Sequence, residues 1–170
     1  MNTKLENLQQ YLAAYGKLRE MYANKGEPLN TPTTDCELIL EYGVPMLERH
    51  KLDDGVVLAK SRQCYSNAWI IKNRRRTQNL RYCEGYVYLE DCPIPVHHGW
   101  CLNESNEVVD PSVNQNEWAV YYGVEYDHDF AKTAWAALKK KQLIGIMLNV
   151  YALSRVGITS EHFLAGLVRQ

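Results

Sequence analysis

No stretch of this chain is apolar for anything near the roughly 18 residues that a membrane-spanning helix needs. Its first residues, "MNTKLENLQQYLAAYGK", hold no apolar run of the signal-peptide kind. A cytoplasmic protein with no membrane partner is the expectation. Charge of either sign is not in excess: the net charge is -1, which gives no global pull toward nucleic acid. Phenylalanine is scarce, two residues against twelve Tyr and four Trp. The aromatic surface therefore carries hydrogen-bonding tips. A C-x-x-C pair is absent, and the five cysteines (Cys36, Cys64, Cys83, Cys92, Cys101) are odd in number. In a reducing compartment each is a packing residue, a ligand or a nucleophile. Repeats, low-complexity segments and linkers are also missing, so residues 1–170 read as one domain, long enough for a sizeable core.

Periodicity supplies the elements. Leu5, Leu8, Leu12, Tyr15, Leu18 and Tyr22 recur at helical spacing and predict a helix over 3–23. "NKGEPLNTPTT" ends it. Thr34 and Glu37 have capping-box spacing and open a second helix through about Tyr42. Gly43 and Pro45 interrupt that helix, "MLERH" adds a turn, and "GVVLA" is a short strand. Ser61 N-caps a helix that begins "SRQCYSNAW", with Cys64 in its first turn. From Arg81 the period changes to two: "YCEGYVYLE", "PIPVHHGWCLN", "NEVVD" and "WAVYYGVEY" read as strands. "DFAKTAWAALKKK" is a helix whose Lys139–Lys141 suit its C-terminal dipole. "LIGIMLNVYALSR" leans to helix, and Thr159 or Ser160 caps a last short one. The order is helices, β-meander, helices, which is an α+β class.

The meander holds the chemistry. Strand alternation puts His98, Trp100 and Leu102 on one face, and His97, Gly99 and Cys101 on the other. An odd-numbered turn centred on Glu104 sets His98 directly opposite Asp110, near enough for the carboxylate to hold the imidazole. A histidine oriented by an aspartate is half of a nucleophilic site. Cys64 is the best placed of the five thiols to complete it. A helix N-terminus and an adjacent imidazolium both favour negative charge on its sulfur. Its own backbone N–H is free in the first turn to meet an oxyanion.

"QCYSNAW", "RYCEGYVY" and "HHGWCLN…NEVVDPSV" together resemble the core of the transglutaminase-like cysteine-enzyme superfamily over about residues 60–125. The resemblance implies a papain-like, transglutaminase-like fold with a Cys-His-Asp triad: Cys64 as nucleophile, His98 as base, Asp110 as orienting acid. It implies acyl transfer through a thioester, on an amide or ester of a protein, a peptide or a small amide. Cysteine protease, amidase and transglutaminase activities all fall within it, and none needs a cofactor. Gln63 or a nearby tyrosine such as Tyr86 would give the second oxyanion donor, with Trp100 as a lid or oxyanion neighbour. Gly99 stands where the family often has Ala, and Gln63 where it has an extra glycine.

Other readings use other residues. Zinc could be held by Cys83, Cys92, His97 and Cys101, although their spacing matches no compact knuckle. A non-enzymatic protein-binding factor on the same fold would use the aromatic meander and the basic run "KNRRRTQNLR". That run suits a solvated helix end, or else an acidic or phosphorylated ligand. Tyr82, Tyr86 and Tyr88 read as packing on one strand face, and Tyr121 or Tyr122 reaches toward the cleft.

Overall fold

The computed structural model describes residues 2–23, 35–52, 63–74, 79–138, 145–149, 157 and 160–168. The architecture is mixed α+β. Helices α1 (Asn2–Ala23) and α2 (Asp35–Tyr42) precede strand β1 (Val44–Met46) and helix α3 (Cys64–Arg74). Strands β2 (Arg81–Leu89), β3 (Val96–Leu102), β4 (Val108–Val109) and β5 (Ala119–Glu125) follow, then helices α4 (His128–Leu138) and α5 (Ser160–Ala165). The sheet order is β1-β5-β2-β3-β4, with every neighbour antiparallel. Among the described residues no helix is long and apolar enough to cross a membrane.

Alternation along β2 feeds two cores. Tyr82 and Tyr86, with Cys101, Val120, Tyr122 and Val124 from neighbouring strands, meet Leu8, Leu12, Ile39, Ala68 and Ala134 from the helices. Cys83 and Val87 turn the other way and join Met46, Trp100, Leu102, Val108 and Tyr121 in a smaller cluster. Glu84 lies on the helix side and is fully buried. Its carboxylate accepts the Tyr82 hydroxyl at 2.6 Å and the backbone N–H groups of Ile146 and Met147 at 2.6 and 2.8 Å. Burial pushes its pKa up to about 7 against those bonds. One strand residue thereby fixes the segment that returns beneath the sheet after α4.

Several expectations need correction. The "VPM" stretch, read as a helix interruption, is an edge strand: Pro45 pairs opposite Tyr122 on β5. An edge is where a strand tolerates a residue without an N–H. "MLERH" adds no helical turn, because Val108 takes bonds from that segment instead, with Val108 N–H donating to Glu48 at 2.7 Å and His50 N–H to Val108 at 2.9 Å. Helix α3 starts at Cys64, and the Gln63 carbonyl accepts its first bond, from Asn67 at 2.8 Å. The described part of "LIGIMLNVYALSR" is irregular and then a single 3-10 turn, Met147–Asn149, because Glu84 captures the amides a helix would use. Asp127 caps α4, its side chain accepting from the backbone of Asp129 and Phe130, both at 3.0 Å. The expected strand over 55–59 and the assignments to Thr34, Ser61, Lys139–Lys141 and Thr159 lie outside the described residues.

Replacing Glu84 with Ala leaves two buried amides without acceptors, at about 1–3 kcal/mol each. Hydrogen exchange should show Ile146 and Met147 losing protection at least tenfold while the β2 and β3 amides keep theirs.

Candidate functional site

Glycine 99 decides how closely helix and strand meet. A Cβ there would lie 2.8 Å from the Tyr65 ring and 3.1 Å from the Tyr65 Cα. Only a bare backbone lets the first turn of α3 press onto β3. β4 covers just Cys101 and Leu102, so among the described residues Val96–Trp100 have no strand partner on that outer edge. The start of α3 packs on this strand at Gly99, and Cys64, half-buried, comes within hydrogen-bonding reach of the His98 ring.

His98 is buried and its Nε2 meets Asp110 Oδ2 at 2.8 Å. That leaves Nδ1 as the ring nitrogen for Cys64. Asp110 is held on every side: Tyr121 hydroxyl donates to the same oxygen at 2.9 Å, and Ser112 N–H donates to Oδ1 at 2.8 Å. Burial alone would raise the Asp110 carboxyl, but the His98 charge and these bonds bring it below its ordinary value. Burial works against charge on His98 too. Asp110, and after it Cys64, overrides that and takes His98 up to about 10. The ring is a cation at neutral pH.

The pair is diagonal, which corrects the expected register. Cys101 opposes Val109 and Leu102 opposes Val108 around a five-residue turn, so the hairpin centres on Ser105 and not Glu104. The parity survives, and both side chains point to the same face. Asn103 builds that turn, its side-chain oxygen accepting the N–H groups of Ser105 and Glu107 at 3.0 and 2.9 Å.

Trp100 lies under this group with no exposed surface. Its ring stacks on His98, 6.4 Å between centroids and 16° between planes, and its N–H donates to Met46 sulfur at 3.1 Å. A Cβ at Gly123 would come 2.6 Å from the indole, so glycine makes its seat. Trp100 thus supports the imidazole from below and offers no donor to a substrate. Tyr86 is not brought to the group either. It is on the helix face, donating to Asp35 at 2.8 Å beside the Cys36 sulfur at 3.3 Å. Gln63 does adjoin Cys64, and Tyr121 rather than Tyr122 reaches the acid.

Two contributors had no role in the sequence reading. Asn67 Nδ2 donates to Ser112 Oγ at 3.0 Å, tying the helix of Cys64 to the loop of Asp110. Its spacing of three from Cys64, and the Asp-Pro-Ser turn, were the available signals. Arg49 braces the same loop through the Glu117 and Asn114 carbonyls at 2.7 and 3.2 Å.

His97 faces the helices, sharing a hydrogen bond with the Tyr65 hydroxyl and lying edge-on to Tyr86. Burial drives its pKa down to about 4, with Asp35 opposing from 3.9 Å. The zinc set does not assemble: Cys83 and Cys101 sit on opposite faces, and the Cys92 thiol donates to the Ile94 carbonyl at 3.1 Å. Among the described residues no three His, Cys, Asp or Glu cluster as metal ligands would.

No family model, curated protein or solved structure matches the chain. The site therefore rests on its own geometry.

His98 gains proton affinity on folding, so its contribution to stability is complete below its ordinary value of 6.5 and is lost as pH rises through about 10. Asp110→Asn should cost about 3–5 kcal/mol near pH 6.5, the toll of an unpaired buried charge. Denaturant unfolding across pH 6–10 checks this. The gap from the parent protein should narrow toward pH 10, and a constant gap would contradict the pairing.

Proposed function

We propose that this chain is a cysteine-dependent hydrolase or acyltransferase, built on a transglutaminase-like core and acting on amide or ester bonds. One observation carries the reading: His98, bonded to Asp110 at 2.8 Å, presents its other ring nitrogen to a half-buried cysteine at a helix start. The Cys64 thiolate attacks the substrate carbonyl carbon, forming a C–S bond and an oxyanion. The oxyanion is met by the Cys64 N–H, one of the donors a first helical turn leaves unused. His98 gives its proton to the departing amine as the C–N bond breaks, and a thioester remains. Water or a second amine then attacks, His98 takes the incoming proton, and Cys64 leaves as thiolate. Asp110 holds the ring in one tautomer and balances its charge, while Trp100 keeps it from tilting. Gln63 is the adjacent side chain for a second oxyanion donor. The substrate is a protein, a peptide or a small amide, and the reading needs no cofactor.

The remaining thiols serve as controls. Burial raises Cys36 to about 11 and moves Cys83 and Cys101 upward as well. Cys92 is half-buried, as Cys64 is. With iodoacetamide at pH 7, mapped by mass spectrometry, Cys64 should label at least tenfold faster than Cys92. His98→Ala should remove that advantage. Gly99→Val, whose side chain would push Tyr65 away, should reduce it several-fold while His98 stays paired. Equal rates at Cys64 and Cys92 in the parent protein would overturn the enzymatic reading and leave a binding factor in its place.

A further inference from the structure

A concavity lies at the end of α3 opposite Cys64. Lys72 is eight residues beyond Cys64, roughly 12 Å along the helix, so this place is separate from the thiol. It is an open groove of about 690 Å³ between the end of α3, the start of β2, the end of β5 and the start of α4. Such a volume is in the range of small-molecule sites, roughly 300–1,000 Å³.

Its charges are unevenly committed. Glu125 is bonded to Arg81 at 3.0 Å, and the Arg81 guanidinium also donates to the Asn103 carbonyl at 2.9 Å. Asp127 spends one carboxylate oxygen on the first amides of α4. Lys72 Nζ lies 2.6 Å from His128 Nδ1 and 5.4 Å from the centre of the Trp69 ring. Lys132, exposed and four residues along α4 from His128, lines the same groove on the same helix face. Leu80 and Val168 give it an apolar wall.

We propose that this groove binds the phosphate group of a small phosphorylated molecule, with Lys72, His128 and Lys132 as its anion-contacting side chains. A phosphate dianion would offer acceptors to all three at once. The partial burial that lowers the pKa of Lys72 also makes a charge partner there more valuable than on open surface. The basic character noted in "KNRRRTQNLR" thus meets a built cavity at Lys72, within a site that does not depend on the thiol chemistry.

The full chain would be titrated with inorganic phosphate, and separately with phenyl phosphate, at about 0.15 M sodium chloride, following histidine ring resonances by NMR. Saturable shifts of His128 are expected, with His50 and His162 unmoved. Phenyl phosphate should bind several-fold tighter than inorganic phosphate if the apolar wall takes part, and equal affinities would restrict the site to free phosphate, overturning the small-molecule assignment. Lys132→Gln changes an exposed side chain and keeps the fold. It should weaken binding at least fivefold, and Lys72→Gln likewise, with Cys64 labelling unaltered. No saturable shift, shifts shared by His50 and His162, or full affinity in Lys132→Gln would each sink the proposal.

Discussion

The 2.8 Å contact between His98 and Asp110 is the constraint around which the meander is arranged. A buried carboxylate is costly unless its oxygens are filled. Here Tyr121 from β5 and Ser112 from the following turn fill them, along with the imidazole. Those donors come from different strands and loops, so the pair requires the sheet order to be what it is. Asn67 extends the same chain of bonds to α3. The helix of Cys64 and the loop of Asp110 are therefore parts of one hydrogen-bonded unit.

Absence of side chains is as important as their presence. Gly99 lets α3 settle on β3, and Gly123 opens the seat for the Trp100 ring. Both lie within two strands of the imidazole, on opposite faces of the sheet. Helix and indole can then approach the same strand from its two sides, and the ring between them has little freedom.

Strand positions were legible in the sequence because alternation is a local signal: Arg81–Leu89 and Ala119–Glu125 fall within a residue of the expected runs, and Val96–Leu102 starts three residues inside its own. The shared face of His98 and Asp110 was legible for the same reason, since parity depends only on counting. Their diagonal offset was not, because Asn103 moves the centre of the turn by one residue through bonds to Ser105 and Glu107. Pro45 reads locally as a breaker, and only its pairing with β5 makes it strand. Residues 145–147 lean to helix by apolar content, but Glu84, about sixty positions away, takes the amides of Ile146 and Met147. Trp100 looked like a neighbour of the substrate because spacing gives its face and not its depth. Wherever a distant partner wins over local preference, one sequence alone does not show it.

The two adjacent histidines carry a further consequence. One ring is held as a cation near 10 and its neighbour as a neutral base near 4, with only the strand backbone between them. The difference belongs to the two sites and not to the residues. On one face Asp110 lies in direct contact with the ring, and on the other burial beneath the helices dominates with Asp35 no nearer than 3.9 Å. One strand backbone thus separates a charged compartment from a neutral one, and the same side chain is given opposite proton affinity by the side of the sheet it enters.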